Sequence, residues 1–169
     1  MTITFDPKQI VLPAPLDGGT GGDFSRGGSP EGDLGRVFTF GDKQYRLVKA
    51  EAAITDAAAK ILVTDQDDDD LPTWEVNTTT TASNILAVGL VPDDLAVTDI
   101  PEGAYFFVVV SGVTPYIAIS TDTGGYIGTG TTAGRTLSAA VDSFAAIGIS
   151  IGAAGGAGQK GIALLRGNV

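Results

Sequence analysis

Cysteine and histidine are both absent from the 169 residues of this chain. Without cysteine, the chain has no disulfide, no thiolate zinc site and no cysteine nucleophile. Without histidine, it lacks the commonest general base near neutral pH, the usual transition-metal ligand and the usual activator of a catalytic serine. Because most enzyme templates need one of these groups, we expect a protein that is not an enzyme and that uses no cofactor.

Positive charge is also scarce, since ten basic residues face twenty acidic ones and the formal net charge is -10. Nucleic-acid binders need the opposite balance to neutralise phosphates, so we expect no nucleic-acid partner. No basic start leads into an apolar run, and no segment reaches the roughly eighteen apolar residues that a spanning helix needs. We therefore expect synthesis in a cytoplasm, no membrane partner and no small-molecule substrate.

Large apolar residues are rare near the N-terminus. The segment Pro15–Gly35 contains eight glycines and two prolines but only three large apolar side chains. Glycine loses the most backbone entropy on ordering, so this segment should stay loose unless it lies on another molecule. It is either a dispensable tail or an extended arm that becomes ordered on another molecule. We divide the chain into this Gly/Pro-rich segment, residues 1–35, and a β-barrel domain over residues 36–169.

Short β-prone runs fill the rest of the chain. Two of them flank Gly41 and Asp42, which is typical of a tight hairpin. The later runs follow between clusters of Gly, Pro, Asp and Thr: Lys60–Asp65, Thr73–Thr78, Asn84–Val91, Ala104–Gly112, Pro115–Asp122, Ala145–Gly152 and Lys160–Gly167. This pattern predicts an all-β fold, a sandwich or a barrel of short strands, with at most one or two short helices.

One helix is predicted over Thr136–Ala146 from four apolar residues at helical spacing, Leu137, Ala140, Val141 and Phe144. The stretch "AEAAITDAAAK", which ends at Lys60, has two interpretations. It forms either one turn of helix or an extended connection.

The run Ala104–Val110 is apolar throughout, whereas a half-exposed strand alternates apolar and polar residues. Both faces of this strand must therefore be covered. The second face is covered either by the chain itself or by a neighbouring subunit, and the sequence leaves both open. The residues assigned to this core or oligomer strand are Tyr105, Phe106, Phe107, Val108 and Val109.

A weak internal similarity relates the two halves of the domain. Three matches carry it: Tyr45 with Tyr105, Thr64-Asp65 with Thr121-Asp122, and Ala87–Leu90 with Ala146–Ile149. Either chance in a chain rich in Ala, Gly and Val or an internal duplication would produce it. A duplication would divide the domain into two β-units, at about 43–94 and 103–152.

The acidic run Asp65–Asp70 is not an EF-hand loop, because Asp70 and Val76 stand where that loop needs glycine and glutamate. It predicts a solvated turn that discourages edge-to-edge aggregation, with a looser cation site left open. Two glycine-rich stretches, Gly128–Ala133 and Gly155–Gly161, do not match nucleotide-binding loops, and the second is predicted to be a flexible hairpin loop.

The succession "GDLGRVFTFGDKQYRLVKA", "AVGLV", "GAYFFVVVSGVTPYIAIST" and "AAIGISIGAAGGAGQKGIALLRGN" resembles the head decoration, or cement, proteins of tailed bacteriophages. The resemblance covers about Gly32 to Asn168. It implies a single β-barrel or β-tulip-like domain of short antiparallel strands that assembles as a homotrimer on the outer capsid surface of the virion, after synthesis in the host bacterial cytoplasm. It also implies that the chain binds and fastens adjacent copies of the major capsid protein.

The same resemblance implies that the arm lies on the capsid. An apolar arm can add a strand to an exposed sheet edge. The implied capsid-binding residues are Ile3, Phe5, Ile10, Val11, Leu12, Leu16, Phe24 and Arg26. Two alternatives stay open: another virion part, such as a tail tube, head fibre or receptor-binding module, or a carbohydrate-binding β-sandwich that uses Trp74 as its aromatic platform.

Overall fold

The computed structural model describes residues 11–12, 30–82, 84–95, 97–120, 124–138 and 145–167. A 3₁₀ helix spans Pro30–Asp33. The strands are β1 Val11–Leu12, β2 Val37–Phe40, β3 Lys43–Ala50, β4 Ile61–Gln66, β5 Pro72–Asn77, β6 Ala87–Leu90, β7 Tyr105–Ile117, β8 Gly125–Thr129, β9 Thr136–Ser138, β10 Gly148–Gly152 and β11 Lys160–Arg166.

Five strands close into a barrel, here termed ring 1. The first half of β7 pairs with β3 and β6, β6 pairs with β4, and β4 pairs with β5, all antiparallel. The circle closes where β5 runs parallel to β3, and at this closure the Lys49 ammonium lies 2.6 Å from the Glu75 carboxylate. The predicted all-β barrel is confirmed.

The second half of β7 begins another circle, here termed ring 2. It pairs with β11, β11 with β10, β10 with β8, and β8 with β9, again all antiparallel. A parallel bridge between Thr136 of β9 and Ala118 closes the circle. There the amide of Ile119 donates to the Thr136 carbonyl at 2.9 Å, and the Thr136 hydroxyl donates to the Ile117 carbonyl at 3.0 Å. Both rings thus have the same strand order and one parallel closure, and they share β7.

The turns before the last strand of each ring also correspond. In ring 1 the amide of Gly103 donates to the carbonyl of Ala50, and in ring 2 the amide of Gly158 donates to the carbonyl of Ala118, each at 2.8 Å. The two glycines have φ angles of +74° and +75°, in the left-handed region that favours glycine. The pairing of the strands therefore assigns equivalent residues in the two rings.

A second pair of equivalent glycines lies in β6 and β10. A Cβ on Gly89 would lie 2.4 Å from the carbonyl oxygen of Val109, and a Cβ on Gly148 would lie 2.4 Å from that of Leu164. In both rings the glycine allows one strand to press on the backbone of the next. These glycines belong to the matched segments "AVGL" and "AIGI".

The match between the two tyrosines does not follow the register. Tyr45 pairs with Val109, and Val113 pairs with Leu164, so Tyr45 corresponds to Val113 rather than to the tyrosine that opens β7. The match that involves Thr121 falls outside the described residues.

Gly112 marks the point where β7 passes from ring 1 to ring 2. Its φ is +106°, and a Cβ there would lie 3.0 Å from the Asp42 carbonyl oxygen and from the Lys43 side chain. Glycine makes both the bend and the close approach possible. The neighbouring hairpin of β2 and β3 turns through Gly41, whose φ is +62°, as the sequence predicts.

The apolar run at the start of β7 has both faces covered by its own chain. Phe106, Val108 and Val110 point into ring 1, where they pack with residues of β3, β4, β5 and β6. The alternate side chains lie in a second cluster, which continues into the interior of ring 2. In that cluster the ring of Phe38 packs edge-on against Phe107, with centroids 5.5 Å apart.

The two rings fill equivalent interior positions with different residues. Val48 pairs with Phe106 in ring 1, whereas Tyr116 pairs with Gly161 in ring 2. A Cβ on Gly161 would lie 2.4 Å from the Tyr116 ring, so the tyrosine occupies the space above the glycine. The larger residue of the pair lies on the last strand of ring 1 but on the first strand of ring 2, and in both rings the pair fills the interior.

The predicted helix over Thr136–Ala146 is wrong at its start, because Thr136–Ser138 forms β9. Pairing with β8 and closure of ring 2 supply backbone hydrogen bonds that override the helical spacing. Residues 139–144 lie outside the described residues. The stretch before Lys60 is an extended connection, in which the amide of Ile54 bonds to the carbonyl of Ile100 at 2.8 Å.

Candidate interaction surface

Of the predicted arm, the structure describes β1 and residues 30–35, and β1 adds a strand to the chain's own sheet. Val11 pairs with Phe106 and Leu12 with Tyr105, antiparallel. At these positions β3 pairs with one edge of β7, so β1 pairs with the opposite edge. Further along β7, at Val109, β6 pairs with that same opposite edge. Six predicted arm residues lie outside the described part of the chain: Ile3, Phe5, Ile10, Leu16, Phe24 and Arg26.

The predicted core or oligomer strand lies in the interior. Each of its five side chains is at most 1% exposed: Tyr105, Phe106, Phe107, Val108 and Val109. Their contacts are with residues of the same chain.

Trp74 has a strained backbone. Its φ is +60°. Trp74 lies two residues before Val76, which pairs where ring 1 closes, and Gly134 lies two residues before Thr136, which pairs where ring 2 closes. The φ of Gly134 is +70°. A left-handed conformation costs a residue with a Cβ about 1–2 kcal/mol. A bulky residue held in this region marks a site that its surroundings enforce.

Three contacts hold Trp74 in place. The Arg46 guanidinium lies 4.4 Å from the centre of the indole, and the Trp74 amide donates to Oγ1 of Thr64 at 3.0 Å. Gly35 lies against the indole edge, where a Cβ would be 2.2 Å from Nε1. Burial lowers the pKa of Arg46 from its ordinary value, yet arginine stays protonated in proteins. Arg46 thus covers one face of the indole.

A groove of about 360 Å³ opens beside Trp74. Its lining includes Arg46, Pro72, Trp74, Ile85 and Val88, and it is here termed the Trp74 groove. The Ile85 side chain is 72% exposed. The groove therefore combines an apolar surface with one partly buried cation.

The acidic turn Asp65–Asp70, which includes the end of β4, lies in the sequence between Thr64 and Pro72, and both of these residues line the groove. Asp67 is bonded within the turn, because its Oδ1 accepts from the amides of Asp69 at 3.0 Å and Leu71 at 2.9 Å. In the described part of the chain, no three acidic side chains form a group that could hold a metal ion. The carboxylates next to Asp67 are exposed to solvent.

Replacing Asp67 with alanine should lower the free energy of unfolding by about 1 kcal/mol, because two backbone amides lose their acceptor. Asp68→Ala removes the same charge from a neighbouring exposed position and is the matched control. Urea unfolding of both variants measures the difference. Equal stability of the two variants would show that the Asp67 bonds contribute nothing.

Each of the two glycine-rich stretches combines the end of a strand with a turn. Gly128 and Thr129 end β8, and the turn that follows leads to β9. The other stretch contains the turn between β10 and β11, in which the Gly158 amide bonds to Ala118. No helix among the described residues is long and apolar enough to cross a membrane.

No protein-family model matches the chain, and no curated protein matches it. Among solved structures, the chain is similar to the N base of head fiber gp8.5 in bacteriophage phi29. The two are 22% identical, with a TM-score of 0.48, over 72% of this chain and 92% of that chain.

Proposed function

We propose that this chain is a non-enzymatic structural protein of a tailed-phage virion. Within that class we propose a decoration protein on the outside of the head, where it binds the major capsid protein and stabilises contacts between its copies. The order of β-strands and glycine turns that resembles this family supports the proposal. The head-fibre base remains the alternative within the same class.

The observation that carries the proposal is the relation of the arm to the body. Ring 1 and ring 2 both close without β1, which contributes only two paired residues at an edge of β7. Backbone pairing at a sheet edge is the mode by which extended segments are captured between proteins. An arm that the body does not need for closure is suited to bind a partner.

A protein with this role works by mass action. If it binds the assembled shell but neither its precursor nor its free subunits, it stabilises the shell by its binding free energy. Such a role needs no general base and no nucleophile, in keeping with the absence of histidine and cysteine.

Electron microscopy of virions labelled with an antibody to this chain tests the location. We expect label spread over the whole head shell. Label confined to a few sites that carry fibres would favour the head-fibre alternative, and label on the tail would reject the head role. If the host expresses the chain but its virions carry no label, the assignment of the chain to the virion is rejected.

A further inference from the structure

The outer face of ring 2 carries apolar residues that face solvent. Leu164 of β11 pairs with Val113 on one side and with Ile149 on the other, and Ile149 pairs with Tyr126. These four residues form one row across four strands. With Ile151 and Ile162 they make up the surface here termed the ring 2 face.

Most of this face is bare in a single chain. Ile162 is 46% exposed, Ile151 53% and Leu164 37%. A strand with one solvated face normally places polar residues on it. Contiguous exposed apolar surface on a folded protein marks a site of interaction.

In ring 1 the equivalent row of residues is covered by other parts of the chain. The equivalent residues, in the same register, are Tyr45, Val109, Leu90 and Ile61. Each is at most 1% exposed and lies in the cluster that ring 1 shares with ring 2. The row is thus a buried contact in ring 1 and a bare surface in ring 2.

Charge distinguishes the ring 2 face from the rest of the molecule. The four strands that bear it contain none of the chain's twenty acidic residues. They contain Lys160 and Arg166, which lie at the two ends of β11 on the exposed side, with Lys160 bonded to Asp93. In a chain of net charge -10, this face is apolar, and its border holds two basic residues, of which Lys160 is paired with Asp93.

The Trp74 groove has the opposite border. Leu71, next in sequence to the lining residue Pro72, is 58% exposed. Ile85, which lines the groove, is also exposed. The adjoining turn Asp65–Asp70 contributes five aspartates. This surface of ring 1 is apolar with an acidic border.

We propose that the ring 2 face of one chain binds the Trp74 groove and acidic turn of a second copy. Apolar surface meets apolar surface, and the basic border meets the acidic one, which gives both affinity and orientation. Since the two surfaces lie on different rings, each copy makes both contacts. A head-to-tail contact of this kind generates a closed ring of copies when its rotation closes.

This inference goes beyond the proposed function, which concerns the capsid, and names a surface for the homotrimer that the sequence resemblance implies. Its test uses purified protein without capsids. A failed test therefore leaves the virion location open to the labelling experiment, and the reverse also holds.

Native mass spectrometry of the full chain should show an oligomer. Ile162→Glu, on the ring 2 face, and Ile85→Glu, in the groove, should each weaken association by about 30-fold or more, since a charge replaces a central apolar contact. Ala53→Glu is the control, because it adds the same charge at an exposed position in the connection between β3 and β4, outside both surfaces. It should leave the oligomer unchanged.

Mixing the two variants tests the head-to-tail arrangement. Ile162→Glu retains an intact groove and Ile85→Glu an intact ring 2 face, so an equimolar mixture should form a heterodimer that neither variant forms alone. Ile162→Thr keeps a β-branched residue and should weaken association in the same direction if the glutamate variant fails to fold.

Three results would overturn the proposal. A wild-type chain that remains monomeric at about 100 µM would show that the ring 2 face serves another partner, such as a capsid. An Ile85→Glu variant that still associates would indicate a symmetric contact between two ring 2 faces. A mixture that gives no heterodimer would reject the pairing of the two surfaces.

Discussion

Replacing Phe106 with aspartate should abolish folding of the domain. The Phe106 side chain is fully buried in ring 1, packed with residues from the strands around it. The substitution removes a large aromatic group, which alone costs about 3–5 kcal/mol, and places a carboxylate where nothing solvates it. The total is comparable to the whole stability of a typical domain, about 5–15 kcal/mol.

Phe106→Leu is the control for this variant, because it keeps an apolar side chain and should cost less than about 1.5 kcal/mol. Circular dichroism and thermal melting measure both variants. A folded Phe106→Asp protein with an unaltered melting temperature would show that β7 does not lie in the core.

Gly148→Ala and Gly89→Ala should each destabilise the protein by about 2–3 kcal/mol, which lowers the melting temperature by roughly 5–10 °C. At both positions the added methyl group would meet a backbone carbonyl at 2.4 Å, and a paired strand cannot withdraw as a flexible side chain can. Similar losses at the two sites are expected because the two glycines occupy equivalent places in the two rings.

Gly32→Ala is the matched control, since a Cβ there meets no atom within 4 Å. It should melt within about 2 °C of the wild type. If Gly148→Ala is as stable as Gly32→Ala, the close approach of β10 to β11 is not a requirement of the fold.

Local patterns predict much of this fold. The hairpin around Gly41 follows from one turn glycine between two β-prone runs. The uniformly apolar start of β7 correctly indicates a strand covered on both faces. Its two covers, the interior of ring 1 and the cluster shared with ring 2, depend on which strands meet.

Ring closure is not visible in local patterns. It rests on two parallel contacts, β5 with β3 and Thr136 with Ala118, between segments that are distant in sequence. The misassigned helix over Thr136–Ala146 has the same cause. Helical spacing is a local signal, and a long-range pairing at Thr136 outweighs it.

The candidate surfaces were only partly predictable. The run "IALL" in β11 is apolar on both faces, the same signal that marks β7, and it identifies the ring 2 face. Trp74 stands out as the single tryptophan. The contact of Trp74 with Arg46 links β5 to β3. Neither this contact nor the left-handed backbone of Trp74 follows from the residues next to it in the sequence.

The most direct test of the account is the arm's contribution to binding the head. Heads that lack this protein would be incubated with the full chain or with a chain lacking residues 2–30, and bound copies would be counted by cryo-electron microscopy. The account predicts that both proteins fold, that the full chain saturates equivalent positions on the shell, and that the shortened chain occupies far fewer. Equal occupancy by the two proteins, or no binding by the full chain, would contradict it.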